Sequence, residues 1–295
     1  MKTVRTAMAL AIQLAASGSS QNFLGAPWVA SLVDTMPEPV RERAALRLLS
    51  FSPHYFYDRD IWAEAERNRQ SRRGLAQALI VPYLTPGARV IDYGCGPGYM
   101  ARAVAEMVGH VDAVDISPGV LACARALNGN TGVTYLTPGD LWRREGQADL
   151  AYSFAVVQHM RTEALVGALR LIAAKIRPGG TLLMHFAEPG QGGWRTQADW
   201  DADRSLGGRL KRRYGLNCFG RTSSEMTDLA AEHGFTDITV ASLRGQLTVP
   251  GDDDITSQHM LTARRALGRP QAGDDAPPGE PFNNLSNHKN FLHDR

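Results

Sequence analysis

A short glycine-rich segment constrains the fold of this chain more than any other feature of its 295 residues. Val90 and Ile91 are β-branched residues typical of a buried strand, and the Ala-rich pattern over residues 101–108 is typical of a helix. Between strand and helix stand three glycines at alternate positions: Gly94, Gly96 and Gly98. Glycine lets a backbone turn sharply or approach a ligand closely, so the segment predicts the first unit of a nucleotide-binding α/β sheet.

The spacing of these glycines separates one class of nucleotide site from another. A loop that seats the pyrophosphate of a dinucleotide reads G-x-G-x-x-G. Here the third glycine comes one residue early, Tyr99 occupies the position that the dinucleotide pattern needs, and Asp92 precedes the loop. The pattern therefore disfavours a dinucleotide. A glycine-rich turn without a ligand is the structural alternative.

Strands and helices alternate after this loop, as they do in a parallel sheet with right-handed crossovers. The later predicted strands cover residues 110–116, 133–136, 148–154, 181–186, 237–242 and 259–264, and the predicted helices cover residues 118–127, 162–176 and 223–233. Upstream, residues 1–70 have a mostly helical pattern, clearest over residues 38–49 and 61–77.

Two acidic residues follow predicted strands of this sheet. Asp115 ends the second strand, where a carboxylate accepts hydrogen bonds from ribose hydroxyls. Helix capping is the alternative for Asp115, although Ser117 is predicted to fill that role. Asp140 follows the third strand and suits an exocyclic adenine amine, with Leu141 flanking the ring. Ordinary turn chemistry explains Asp140 equally well.

Together these segments resemble successive motifs of the class I S-adenosylmethionine-dependent methyltransferases. The resemblance is carried by residues 92–98, 115, 139–140, 149–159, 177–183 and 232–235. It implies a Rossmann-like α/β fold: a seven-stranded, mostly parallel sheet with helices on both faces and the last strand antiparallel. It also implies S-adenosylmethionine as cofactor. The donor-binding residues it implies are Asp92, Gly94, Gly96, Gly98, Asp115, Ile116, Asp140, Leu141, Ser153 and Phe154.

The acceptor side of the predicted site contains two histidines. Ligands of open α/β sheets lie beyond the carboxyl ends of the strands, so donor and acceptor are expected to meet near residues 153–159. His159 is the first candidate for a catalytic base, with shaping of the pocket as its alternative role. His185 is the second candidate, with a buried, hydrogen-bonded core position as its alternative. Glu188 is placed to orient either ring. Methyl transfer from a sulfonium requires no metal.

Aromatic residues are predicted to surround both ligands. His54, Tyr55 and Tyr57 are candidates to cover the sulfonium of the cofactor, and helix packing is their alternative role. Trp194, Trp200 and Tyr214 lie in a long segment after the fifth strand, where they would line an apolar acceptor pocket.

The chain divides into three predicted regions. Residues 1–74 form an N-terminal helical cap, residues 75–266 form the S-adenosylmethionine-binding domain, and residues 267–295 form a disordered tail. Within the domain, residues 188–221 are interpreted as an insertion that covers the acceptor.

Composition limits the partners and the location. The 32 Lys and Arg residues nearly balance 30 Asp and Glu residues, which argues against a nucleic-acid partner. No segment approaches the ~20 apolar residues of a membrane span. Three separated cysteines suggest neither disulfides nor zinc, and they fit the cytoplasm. The apolar residues 7–16 have the outline of a secretory signal, but a short helix explains them equally well. Nothing in the sequence indicates an oligomeric state.

The function predicted from the sequence is methyl transfer to a small-molecule acceptor at oxygen or nitrogen. An NAD(P)-dependent oxidoreductase is one alternative, which Tyr99 and the lack of an evident Tyr-x-x-x-Lys pair disfavour. A protein that binds S-adenosylmethionine without catalysis is the other. The three acidic positions Asp92, Asp115 and Asp140 disfavour it.

Overall fold

A seven-stranded sheet organises the protein. The structure, a computed structural model, describes residues 23–25, 27–51, 55, 60–129, 132–190, 193–213, 217–244 and 258–267. Its strands are β1 (Val90–Tyr93), β2 (Val111–Val114), β3 (Val133–Leu136), β4 (Ala148–Ser153), β5 (Ile176–Ala187), β6 (Phe235–Ser242) and β7 (Gln258–Arg265). They lie in the order β3-β2-β1-β4-β5-β7-β6. The first five pair in parallel, and β7 is antiparallel to both β5 and β6. The predicted sheet with an antiparallel last strand is therefore confirmed.

Ten α-helices surround the sheet in the described part of the chain. They are α1 (Pro27–Thr35), α2 (Glu38–Phe51), α3 (Ile61–Leu79), α4 (Tyr99–Val108), α5 (Pro118–Asn128), α6 (Pro138–Arg143), α7 (Thr162–Lys175), α8 (Gln197–Ala202), α9 (Leu206–Arg213) and α10 (Ser223–Glu232). Short 3₁₀ turns cover Phe23–Gly25, Val81–Tyr83 and Val157–His159.

The strand order reverses between β1 and β4, and this reversal determines where a ligand can bind. From β1 the sheet continues through β2 and β3 on one side and through β4 and β5 on the other. Loops that leave two adjacent strands on opposite sides open a crevice beyond the carboxyl ends of those strands. The glycine loop after β1 and the segment after β4 border this crevice.

Apolar side chains cover both faces of the sheet. On one face, Leu169 of α7 and Met226 of α10 belong to the same buried cluster as Ile91 and Met184. On the other face, α3 and α4 contribute to the cluster built on alternate strand residues: Val90, Val111, Leu150 and Leu183. The predicted helices on both faces are thus present.

The N-terminal helices form a further layer outside α5. Val29 of α1 and Leu46 of α2 are fully buried in one cluster with Val120 of α5. Helix α3 packs against α4 and continues through the predicted domain boundary at residues 74 and 75. No break in secondary structure marks that boundary, because the apolar face of α3 belongs to the core of the sheet.

Strand β5 begins earlier than predicted. The sequence Arg177-Pro178-Gly179-Gly180 was expected to separate a helix from a strand starting at Thr181, but β5 begins at Ile176. The pairing between β4 and β5 shifts from Ala148↔Ile176 to Leu150↔Thr181, so the turn-forming residues form an irregularity within the strand. Gly179, at φ 75°, accommodates the bend.

Several predictions lie outside the described residues. They concern residues 1–22, His54, Tyr57, Tyr214 and the tail beyond residue 267. None of the helices in the described part of the chain combines the length and apolar character that a membrane crossing needs.

Candidate functional site

The glycine loop between β1 and α4 is built on left-handed backbone. Gly94, Gly96 and Gly98 have φ values of 85°, 51° and 77°. A Cβ on Gly94 would overlap the side chain of Val156, and one on Gly98 would lie 2.5 Å from the Tyr135 hydroxyl. The first and third glycines are therefore required for packing as well as for conformation.

We expect Gly94→Ala to destabilise the protein by about 2 to 5 kcal/mol, since left-handed strain contributes roughly 1 to 2 kcal/mol and overpacking roughly 1 to 3 kcal/mol. Gly87→Ala is the matched control, because Gly87 also has a positive φ of 74° but a Cβ there would meet no atom within 4 Å. Urea unfolding of both variants measures the difference. Equal losses would show that the contact with Val156 contributes nothing.

Asp115 joins the glycine loop to the start of α5. Its Oδ2 accepts a hydrogen bond from the Gly96 N–H at 3.1 Å, and its Oδ1 accepts one from the Ser117 N–H at 2.9 Å. A carboxylate offers about four lone-pair positions, so two remain for a ribose diol. Burial raises the pKa of Asp115 to about 6. The arrangement fits the nucleoside of S-adenosylmethionine, and Ile116, 41% exposed beside it, offers an apolar surface for the base.

Ser117 occupies the predicted N-cap position of α5, but its side chain makes no capping hydrogen bond. Asp115 accepts from the Ser117 N–H, so the carboxylate takes part in the turn that precedes the helix. The prediction that the Ser117 side chain caps α5, which had made capping by Asp115 the weaker alternative, is therefore wrong.

Asp92 lies behind the loop in β1. It is 3% exposed, and its Oδ2 has no hydrogen-bond partner in the described part of the chain. Burial raises the pKa of Asp92 to about 7, although the neighbouring Tyr152 hydroxyl acts in the opposite direction. A buried carboxylate with one unsatisfied oxygen next to a glycine loop is a feature that functional sites commonly have.

Asp140 is engaged within its own helix. It forms a capping box with Thr137 at the start of α6, and its Oδ1 accepts from Arg143 at 2.7 Å. The Thr137 hydroxyl and the Arg143 guanidinium lower the pKa of Asp140. The side chain of Leu141 is 2% exposed and belongs to the core. The structure thus displays the turn chemistry that was the alternative, and adenine contacts for these two residues stay predictions.

The carboxyl end of β4 brings a second group of predicted residues together. Ser153 is 1% exposed, and its hydroxyl has no partner among the described residues. The Phe154 ring stacks on His185 of β5, with 4.2 Å between the ring centroids. Ala155 adopts a left-handed φ of 58°, and its N–H donates to His185 Nδ1 at 3.2 Å. Nothing in the sequence indicated this conformation for an alanine.

His159 ends the 3₁₀ turn that follows β4. Its Nδ1 lies 2.8 Å from the carbonyl oxygen of Asn217. Because a carbonyl can only accept, Nδ1 carries a proton, and Nε2 is the unprotonated nitrogen of the neutral ring. Burial lowers the pKa of His159, which favours the neutral form. The Phe219 N–H also donates to the Gln158 carbonyl at 3.1 Å. The end of the insertion is thus held against this turn.

Arg221, which sequence reasoning missed, anchors the insertion. Its side chain is 1% exposed. The guanidinium donates to the Met160 carbonyl at 2.8 Å, the Thr162 hydroxyl at 3.1 Å and the Gln197 amide oxygen at 3.2 Å. It also pairs with Glu225. One buried cation therefore links α7, α8 and α10. Apart from Glu225, its partners are distant in sequence, so no local pattern identifies this role.

Glu188 lies between β5 and α10. It accepts hydrogen bonds from the Ser223 N–H and hydroxyl, and its Oε2 lies 3.4 Å from Nε2 of His259. The sequence pattern predicted that Glu188 orients His159 or His185, but these contacts involve neither histidine. No sequence signal had pointed to His259.

The structure describes some of the aromatic residues that were predicted to surround the ligands. A Cβ on Gly96 would lie 3.2 Å from the Tyr55 ring, so Tyr55 covers the glycine loop. In the insertion, Trp200 packs against Phe219, with 6.5 Å between the ring centroids. Its ring also lies 5.5 Å from the Lys211 ammonium. Lys211 of α9 thus contacts α8, another helix of the same insertion.

Comparisons with known proteins agree with this geometry. The sequence profile of a methyltransferase domain matches residues 90–180, which include the loop, Asp115 and the end of β4. A protein-L-isoaspartate O-methyltransferase of Anaeromyxobacter dehalogenans is 29% identical over 162 residues, covering 50% of this chain and 76% of the relative. A ubiquinone biosynthesis O-methyltransferase of Xanthomonas campestris pv. campestris is 32% identical over 104 residues, covering 34% of this chain and 43% of the relative.

One solved structure is among those similar to this chain. Magnesium protoporphyrin IX methyltransferase from Synechocystis PCC 6803 with bound S-adenosylmethionine is 17% identical, with a TM-score of 0.47. The match covers 79% of this chain and 99% of the other. The matched profile runs from β1 to the first residues of β5, and this chain spans less than half of the ubiquinone enzyme.

Proposed function

Because this chain belongs to the class I S-adenosylmethionine-dependent methyltransferases, we propose that it transfers the methyl group of that cofactor to an oxygen or nitrogen atom of a small molecule. The observation that carries the proposal is the enclosure of His159. The end of the insertion closes over the turn that bears this histidine, through Asn217 and Phe219. A site covered in this way favours an acceptor of metabolite size.

The roles of the residues follow from their contacts. S-adenosylmethionine supplies an activated methyl group when it is bound, so the protein must mainly align the acceptor atom behind that methyl. Asp115 and the glycine loop would hold the nucleoside, with Ile116 against the base. His159, whose neutral ring has its lone pair on Nε2, would take the proton from an acceptor that must lose one. We place this reaction in the cytoplasm, where the donor is made.

Two other functions remain candidates, and the labelling experiment described below distinguishes them from the proposal. One relative is a protein-L-isoaspartate O-methyltransferase by name, which makes a protein acceptor the second candidate. A protein that binds the donor without catalysis is the third. The family assignment removes the nicotinamide alternative, because the donor of this family is S-adenosylmethionine.

Incubation with methyl-labelled S-adenosylmethionine and fractionated cell extract tests the proposal. We expect label to enter products of the low-molecular-mass filtrate and not the retained macromolecules. Label in retained protein would favour the protein acceptor, and label in neither fraction would favour binding alone. S-adenosylhomocysteine at 100 times its Kd should stabilise the fold by about 2.7 kcal/mol, whereas NADH should not.

A further inference from the structure

His185 holds a buried proton donor that the proposed mechanism does not use. The side chain lies near the end of β5 and is 1% exposed. Its imidazole stacks on Phe154 with an interplanar angle of 26°. Because Phe154 directly follows β4, this ring pair lies at the carboxyl ends of the two strands, where ligands of such sheets bind.

The hydrogen bond from Ala155 determines the protonation of the ring. A backbone N–H can only donate, so His185 Nδ1 accepts with its lone pair. Burial lowers the pKa of His185 to about 3, so the ring is neutral and its one proton is on Nε2. The lone pair that a general base needs is already engaged. The prediction of His185 as a second catalytic base therefore gives way to a donor role.

The Nε2–H donor is unsatisfied. It has no hydrogen-bond partner in the described part of the chain, although the residue is almost fully buried. Buried donors are rarely left without partners, and those that are deserve a functional explanation. The left-handed Ala155 that fixes this ring is a second, independent sign, because such backbone persists mainly where function requires it.

A positive charge lies near the ring that stacks on His185. The Arg72 guanidinium, from α3, is 5.7 Å from the centroid of the Phe154 ring. Its charge is the largest cause after burial of the lowered pKa of His185. A cation and an N–H donor on the same aromatic ring favour an oxygen that carries negative charge.

We propose that His185 donates its Nε2–H to an anionic oxygen of the methyl acceptor, with the charge of Arg72 selecting that anion over a neutral group. The acceptor class is then a metabolite that carries a carboxylate or phenolate oxygen. This inference rests on the proposed function and deepens it. His185 is a binding and positioning residue, and His159 remains the candidate base.

Benzoate and benzamide, which differ in charge but hardly in shape, are the probes for the test. The full chain, labelled with ¹⁵N-histidine and saturated with S-adenosylhomocysteine, is titrated with each while the His185 Nε2–H resonance is followed. We expect benzoate to shift this resonance and to bind about tenfold more tightly than benzamide. Arg72→Gln should abolish the preference. His185→Phe should lose benzoate binding, and His185→Gln, which retains a donor, should recover part of it.

Three results would overturn the inference. Benzoate could leave the His185 resonance unchanged, benzamide could bind as well as benzoate, or S-adenosylhomocysteine alone could supply the partner of Nε2–H. In the last case the anion is the carboxylate of the donor. Affinity for S-adenosylhomocysteine, measured on each variant, shows that the variants fold. Failure of the unaltered protein to bind S-adenosylhomocysteine would instead remove the proposed function itself, and this inference with it.

Discussion

Replacing Asp115 with alanine should weaken binding of S-adenosylhomocysteine by about 10- to 150-fold, the equivalent of about 1.5 to 3 kcal/mol. The carboxylate is predicted to accept both ribose hydroxyls. It also accepts the N–H groups of Gly96 and Ser117, so its loss removes the link between the glycine loop and α5. Calorimetry with S-adenosylhomocysteine measures the change.

Asp112→Ala is the matched control for this experiment. Asp112 lies in β2, just before Asp115 in the chain, and is buried, but its partners are His110 and Arg144. Its loss should lower stability and leave donor affinity nearly unchanged. Equal effects of the two variants, or full affinity in the Asp115 variant, would contradict the ribose assignment.

The same carboxylate gives donor binding a pH dependence. Hydrogen bonds from ribose hydroxyls favour the ionised form, and the pKa of Asp115 is raised to about 6. Affinity for S-adenosylhomocysteine should therefore fall as the pH is lowered through 6, and Asp115→Asn should remove that part of the dependence. The stability of the unliganded protein changes in the opposite direction. The pKa of Asp115 is higher in the folded protein than its value of about 4 in the unfolded chain, so this group stabilises the fold below that pH. The stabilisation is lost as the pH rises through about 6.

Local sequence patterns predicted the strands and the glycine loop of the first half of the sheet well. Strand β3 has the predicted bounds, and β1, β2 and β4 differ from prediction by at most two residues at either end. The glycine loop and Asp115 meet as the spacing required, since both follow adjacent parallel strands. Short-range rules suffice here because each feature is determined within one strand-loop-helix unit.

The acceptor side was predicted less completely, for a physical reason. The tautomer of His185 depends on the N–H of Ala155, 30 residues away, and that of His159 depends on a carbonyl at Asn217, 58 residues away. Backbone groups are the same at every position, so residue identity carries no signal for them. Helices α6 and α8 have six residues each, which is too short for a periodic pattern.

His159→Ala should lower kcat by about 100- to 10,000-fold for an acceptor that must lose a proton, the range typical of a lost general base. The hydrogen bond to Asn217 leaves the unprotonated nitrogen at Nε2, and burial keeps the pKa of His159 below its usual value of 6.5. His159 therefore stays neutral at pH 6.5, and kcat should decline only at a pH below 6.5. Turnover of the acceptor identified with labelled donor, measured between pH 5 and 8, checks both expectations.

His233→Ala is the matched control for His159. Nδ1 of His233 also bonds a backbone carbonyl, that of Leu229 at 2.7 Å, but this residue lies at the end of α10, away from the crevice. Its replacement should leave kcat unchanged. A His159 variant that raises KM with kcat intact would make the residue part of the acceptor pocket, because only uniform binding is then lost. A His159 variant with normal kcat and KM would show that the enclosure by Asn217 and Phe219 serves the fold alone, and the small-molecule proposal would lose its support.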